Sequence, residues 1–201
     1  MNLQSASHRD ARRIAEVYRQ AFPASVQLFF SQKDPDELLD LLELSFTLPF
    51  YWGAKGVLYL DQANQVQGYC LYSTSSGKRQ LSKTLSLLTR LARKLSFKEL
   101  AKLAQNQFLM TTSVRRTKKV PKPQARILSI AVLPTYQGKG VGTVLLNDVL
   151  HKLQNESIGL NVRADNTVAK RLYASSGFTE YGTITDLSGT WLMLVRESTQ
   201  S

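Results

Sequence analysis

Gln137-Gly138-Lys139-Gly140-Val141-Gly142 is the stretch of this chain whose residue types could do chemistry at the spacing they have. Three alternating glycines let the backbone turn tightly and gather its amides, and the V-L-L-N-D-V-L-H-K-L that follows repeats apolar residues at helical intervals. Amides gathered at a helix N-terminus, where the dipole is positive, bind anions. The spacing excludes two common phosphate loops. Walker A needs Gly, four residues and then Gly-Lys-Ser/Thr, but Lys139 precedes Gly140; a dinucleotide fingerprint needs G-x-G-x-x-G, and here the order is G-x-G-x-G. Other reactive side chains are few. Cys70 is the only cysteine and His8 and His151 the only histidines, which rules out an internal disulfide and argues against a Cys/His zinc site. Cys70 falls inside an apolar strand pattern with no base nearby in sequence, so it reads as a buried inert thiol rather than an acyl-carrying nucleophile.

The elements around the turn follow from pattern. A short Ile/Val/Leu-rich run at 127–133, closed by Pro134, reads as a buried strand that feeds the glycines. Upstream, 2–6 reads as a strand. Ser7 and Asp10 resemble a capping box for a helix reaching about Ala21, and Asp34-Pro35-Asp36-Glu37 opens a second helix that buries Leu38, Leu41, Leu42 and Phe46. The apolar 26–30 segment between them reads as a loop, either core packing or a binding wall. A hairpin spans 57–60 and 66–73, with Gly68 marking a bulge or close approach. Downstream, 158–162 reads as a strand, 166–178 as a helix ending in a glycine cap, and 178–186 with 190–196 as a closing hairpin. The order predicts an α/β fold: one domain over 1–201, its mixed, mostly antiparallel sheet flanked by helices, with a basic helical insert at about 74–124 before the central strand.

Charge is concentrated in that insert. The chain of 201 residues carries +11, yet between Lys78 and Arg126 fourteen Lys and Arg face the single Glu99, and the remainder is slightly acidic. Leu81, Leu85, Leu88, Ala92 and Leu95 fall within an arc of ~80° opposite Lys83, Arg90, Arg93 and Lys94, the pattern of a basic amphipathic helix. Ser96 and Glu99 form a capping box for the next helix, expected to bury Phe97, Leu100, Ala101, Ala104 and Phe108. A short strand is expected at 110–114, then a solvated extended loop at 115–123. The charge suits an anionic partner (a membrane surface, a nucleic acid or an acidic protein), against the plain alternative of helices packed on the sheet with their lysines in water. No leader pattern and no apolar run near roughly 20 residues is present in the sequence, which points to a cytoplasmic chain, at most peripheral at a membrane.

Two blocks together resemble a known family. Gln137-x-x-Gly140-x-Gly142 after a V-x-P strand end, followed one strand later by N-x-x-A-x-x-x-Y-x-x-x-G-F from Asn166 to Phe178, is similar to the GCN5-related N-acetyltransferase (GNAT) superfamily. The resemblance implies acetyl-CoA as co-substrate, no metal, and an amine as acceptor. It also implies that Gln137, Gly138, Lys139, Gly140, Val141, Gly142 and Thr143 surround the pyrophosphate and that Ile130, Ala131 and Val132 pair with the pantetheine arm, the Val132 amide facing the thioester oxygen. Asn166, beside Ala169, would bond the pantetheine, and Tyr173 would protonate the departing thiolate. Many members carry a carboxylate base on the central strand. This strand offers only Ser129, which leaves the base open and keeps a second reading in play: an acetyl-CoA sensor or adaptor recruited through the basic helices.

Overall fold

The computed structural model describes residues 2–120 and 122–198. Its eight strands form one sheet, β1 (Asn2–Ala6), β2 (Lys55–Leu60), β3 (Val66–Thr74), β4 (Arg115–Arg116), β5 (Ala125–Val132), β6 (Ile158–Arg163), β7 (Thr179–Asp186) and β8 (Gly189–Arg196), in the order β1-β2-β3-β5-β6-β8-β7-β4. Every neighbouring pair is antiparallel except β5 and β6. The helices are α1 (Ala11–Ala21), α2 (Pro23–Phe30), α3 (Pro35–Tyr51), α4 (Leu81–Lys94), α5 (Phe97–Thr112), α6 (Val141–Lys152) and α7 (Thr167–Ser175). None is long and apolar enough to cross a membrane among the described residues.

The caps explain where the first helices begin. Ser7 and Asp10 bond reciprocally ahead of α1, and the Asp34 carboxylate accepts the Asp36 and Glu37 amides, with Pro35 at the first position of α3. Two cores result, one on each face of the sheet. Cys70, Ile127, Leu160 and Val162 pack under α6 through Leu145, Leu146 and Val149; Leu58, Tyr69, Leu71 and Ala131 pack under α1 and α3 through Ile14, Leu38, Leu42 and Phe46. Side chains as fully buried as Leu145 and Leu146 contribute roughly 1.5–3 kcal/mol each. Gly68 stands beside a bulge at Tyr59/Leu60, and a Cβ there would lie 2.8 Å from the Ala131 carbonyl oxygen, so close strand approach requires glycine.

Several expectations are corrected. Residues 26–30 are not a loop: Pro23 occupies the first position of α2, which runs to Phe30 and buries Val26. Residues 110–112 belong to α5, whose last turn is bonded by the Thr111 and Thr112 hydroxyls to the Phe108 carbonyl, so the strand begins only at Arg115. Arg115 and Arg116 pair with β7 as β4 rather than belonging to a loop, although both are exposed; Pro121, within that segment, lies outside the described residues. The apolar arcs of α4 and α5 point outward. Leu81, Leu85, Leu88, Phe97, Leu100, Ala101, Ala104 and Phe108 are exposed, and what these helices bury is Thr84, Leu87 and Glu99.

Candidate active site

Strand β5 and its exit turn build the site. The ladder between β5 and β6 consists of Ala125↔Ile158 and Arg126↔Gly159 and stops there, although both strands run on. Beyond Arg126, β5 is paired with β3 on one side only, so the backbone of Ile130, Ala131 and Val132 borders an opening between the two strands. Past Val132 a single 3₁₀ turn at Pro134–Tyr136 leads into the glycines. Gly138 and Gly140 have φ of +73° and +80°, the left-handed region that side chains resist, and a Cβ at either would meet nothing within 4 Å. Conformation, not crowding, demands glycine here, and the space over the turn is open.

Gly140 caps α6. The Val144 amide donates to the Gly140 carbonyl at 3.0 Å, the first bond of the helix, so the Val141, Gly142 and Thr143 amides have no partner within it. The Gln137 carboxamide donates to the Val132 carbonyl at 3.1 Å and ties the turn back to the strand end. Lys139 is exposed, its ammonium 5.1 Å from the Tyr136 ring centre. Gly142 lies where a Cβ would touch Val132 and Leu172, joining strand, turn and α7. These residues together form a cradle of free amides and positive potential that fits a pyrophosphate.

Asn166 caps α7, its side-chain oxygen accepting the Ala169 amide at 3.0 Å, which leaves the amide hydrogens of an exposed carboxamide as donors. About two turns on, Tyr173 is buried at 5% exposure in the same core cluster as Cys70, its ring edge-on to Phe178 at 5.8 Å. Burial, reinforced by any charge on Cys70, pushes the Tyr173 phenol up, so it stays protonated and can donate. Burial likewise raises the Cys70 thiol, which is fully enclosed and inert. No group of His, Cys, Asp or Glu able to hold a metal occurs among the described residues.

The side of the sheet that Ser129 faces, and the presence of Asn161, were not anticipated. Ser129 shares a 2.8 Å hydrogen bond with the Tyr69 hydroxyl on the α1/α3 face of the sheet. Asn161 on β6 is registered against Met193 on that face, between Leu160 and Val162 on the other, and its buried side-chain oxygen has no protein partner. Neither is a carboxylate. Alternation along β6 was the available signal for Asn161; for Ser129 a bulge conceals it, since the β3–β5 register shifts at Leu71/Tyr72 and leaves Leu128 unpaired.

Residues 86–178 match the model of the Acetyltransferase (GNAT) family. The chain is 36% identical over 69 residues to the N-alpha-acetyltransferase RimI of Mycobacterium tuberculosis, 34% of this chain and 44% of that protein. It is 40% identical over 60 residues to the [Ribosomal protein bS18]-alanine N-acetyltransferase of Escherichia coli, 28% of this chain and 40% of that one. The chain thus spans less than half the length of these curated relatives. Among solved structures, an N-acetyltransferase from Staphylococcus aureus Mu50 superposes with a TM-score of 0.65 at 18% identity, covering 97% of this chain and all of the other. A PaiA N-acetyltransferase from Thermoplasma acidophilum in complex with coenzyme A gives 0.52 at 12% identity, over 98% and 99% of the two chains. At such identities these structures establish the fold.

Proposed function

From the match of residues 86–178 to the GNAT family and a fold shared with solved N-acetyltransferases, we propose that this chain is an N-acetyltransferase moving the acetyl group of acetyl-CoA to an amine by direct transfer in a ternary complex. The observation that carries the reading is the β5–β6 ladder that stops after two pairs and leads into a glycine turn with free amides. In this reading the Gln137 to Thr143 turn holds the pyrophosphate and Lys139 adds positive charge beside it. The edge of β5 from Ile130 to Val132, with Ala131 between, pairs with the pantetheine, and Asn166, next to Ala169, donates to it. The amine nitrogen forms a bond to the acetyl carbon, the carbon–sulfur bond breaks, the Val132 amide stabilises the oxyanion between those events, Tyr173 gives its proton to the thiolate, and the surplus proton on the nitrogen passes through water to restore the phenol.

The acceptor follows from what β5 and β6 lack. Ser129 is engaged by Tyr69 and Asn161 is a carboxamide, so neither strand presents a carboxylate base in the opening. A lysine amine, with a pKa of roughly 10.4, then arrives protonated, whereas an α-amino group near roughly 7.7–8.0 arrives partly neutral. We therefore assign α-amino groups of proteins or peptides as the preferred acceptors, in keeping with the acceptors named for the two curated relatives. The enzyme is cytoplasmic in this reading, with the basic helices turned to an anionic partner. Thiol release from acetyl-CoA, measured across N-terminal peptides, lysine peptides and small amines, is the test. Turnover with a free N-terminus and none with the same peptide blocked there is expected. Acetyl-CoA binding without turnover of any amine would instead favour the sensor reading.

A further inference from the structure

Helices α4 and α5 leave a second, outward row of large apolar side chains exposed. Leu81, Leu85 and Leu88 lie within about 60° of one another around α4 and are 72%, 66% and 41% exposed; on α5, Phe97 and Phe108 share a stripe with Ala101 and Ala104 and are 84% and 65% exposed. The inward faces bury Thr84, Leu87 and Glu99, with Leu91, Leu103, Asn106, Leu109 and Met110 half-buried beside them. Soluble chains seldom leave so many large apolar side chains in water without a partner for them.

Charge decides what that partner is. Of the fourteen Lys and Arg between Lys78 and Arg126, Lys78 and Arg79 precede the Leu81 stripe, Arg93 and Lys98 flank the junction of the helices, and Arg115, Arg116, Lys118 and Lys119 follow α5, all exposed. The one acid, Glu99, is buried against Lys33 at 3.3 Å and does not offset them. A second copy of the chain would bring like charge against like. A nucleic acid would satisfy the cations but offers no apolar phase for Phe97 and Phe108. An anionic bilayer satisfies both, because interfacial helices sink their apolar side chains between headgroups while neighbouring Lys and Arg pair with the phosphates.

We propose that the outward ridge of α4 and α5 is a docking surface for anionic lipid bilayers. The insert leaves β3 at Thr74 and returns at Ala125, the end of β5 opposite Val132, so a docked protein keeps its glycine turn in water, open to acetyl-CoA.

The test is flotation of the full chain with phosphatidylcholine vesicles, with and without phosphatidylglycerol, at low and high salt. It needs no acetyl-CoA, so its failure leaves the acetyltransferase reading standing. Binding is expected only to the anionic vesicles, weakening with salt. The double substitution Phe97→Ser/Phe108→Ser changes no charge and touches two exposed side chains, so it should keep the wild-type Tm and bind about tenfold more weakly. Several results would overturn the proposal. They are no flotation at low salt, equal flotation with neutral vesicles, binding that ignores the Phe substitutions and is competed by RNA, and a dimer in solution that those substitutions dissociate.

Discussion

Gly140 holds a left-handed backbone with nothing near its missing side chain, so Gly140→Ala separates conformation from packing. The substitution should cost roughly 1–2 kcal/mol of stability and, by tilting the free amides of α6, raise the KM for acetyl-CoA more than it lowers kcat. Thermal melts and initial rates check both. Tyr173 is the complementary case. Tyr173→Phe keeps the ring against Phe178 and removes only the hydroxyl, so Tm and acetyl-CoA affinity should hold while kcat falls about 10²-fold or more. An undiminished rate would remove Tyr173 from the chemistry. The pH dependence carries a sign as well. Because burial raises the phenol above its ordinary value, no alkaline loss of activity from Tyr173 is expected through roughly pH 10. The rate with an α-amino acceptor should instead rise with pH and level near roughly pH 8, where that amine is neutral.

Glu99 connects one element to another. Its carboxylate accepts the Ser96 amide and hydroxyl at 2.7 and 2.8 Å, closing the α5 cap, and meets Lys33 from the α2–α3 connection. Burial pushes this carboxyl up, but the Ser96 hydrogen bonds and Lys33 outweigh it and hold it below its usual value. A lowered carboxyl stabilises the fold fully above its unfolded pKa and loses that contribution as pH falls through the folded one. Glu99→Gln should therefore cost about 1–3 kcal/mol at pH 7, with the gap to wild type closing below roughly pH 4 in Tm measured against pH. This cap was legible in sequence because Ser96-x-x-Glu99 is a local signal, as were α3, α6 and the glycine turn. The direction in which α4 and α5 face was not, since periodicity says which residues share a stripe but not whether that stripe meets core or solvent. The same limit hid Ser129. Strict alternation from Ile127 puts it under α6, and the unpaired Leu128 flips it to Tyr69 on the other face. Tyr173 and Asn166 are proposed for the site only because two motifs fix their positions; by residue type alone, one is a core aromatic and the other a helix cap.

The molecule as a whole is a sheet with a core on each face and a basic attachment across one end. Neither main core includes any residue between 75 and 124. The insert reaches the rest through Leu87 under α3, through Glu99 at Lys33, and through Met110 and Val120 beside the small cluster of Tyr181, Ile184, Met193 and Val195 on β7 and β8. Thr74 and Ala125 are already paired, so a tight hairpin could join β3 to β5 directly. Replacing 76–123 with such a turn removes thirteen Lys and Arg together with Glu99, taking the net charge from +11 to −1. The shortened chain should unfold cooperatively at a lower Tm, bind acetyl-CoA with the affinity of the intact protein, and no longer float with anionic vesicles. Melting curves and calorimetric titration with acetyl-CoA read the first two outcomes. Folding lost with the insert would make α4 and α5 part of the structural unit; folding retained with acetyl-CoA binding abolished would extend the cofactor site into the insert. Retention of both would locate acetyl-CoA binding in the sheet and the choice of surface in the helices, two functions on one chain carried by parts with opposite charge.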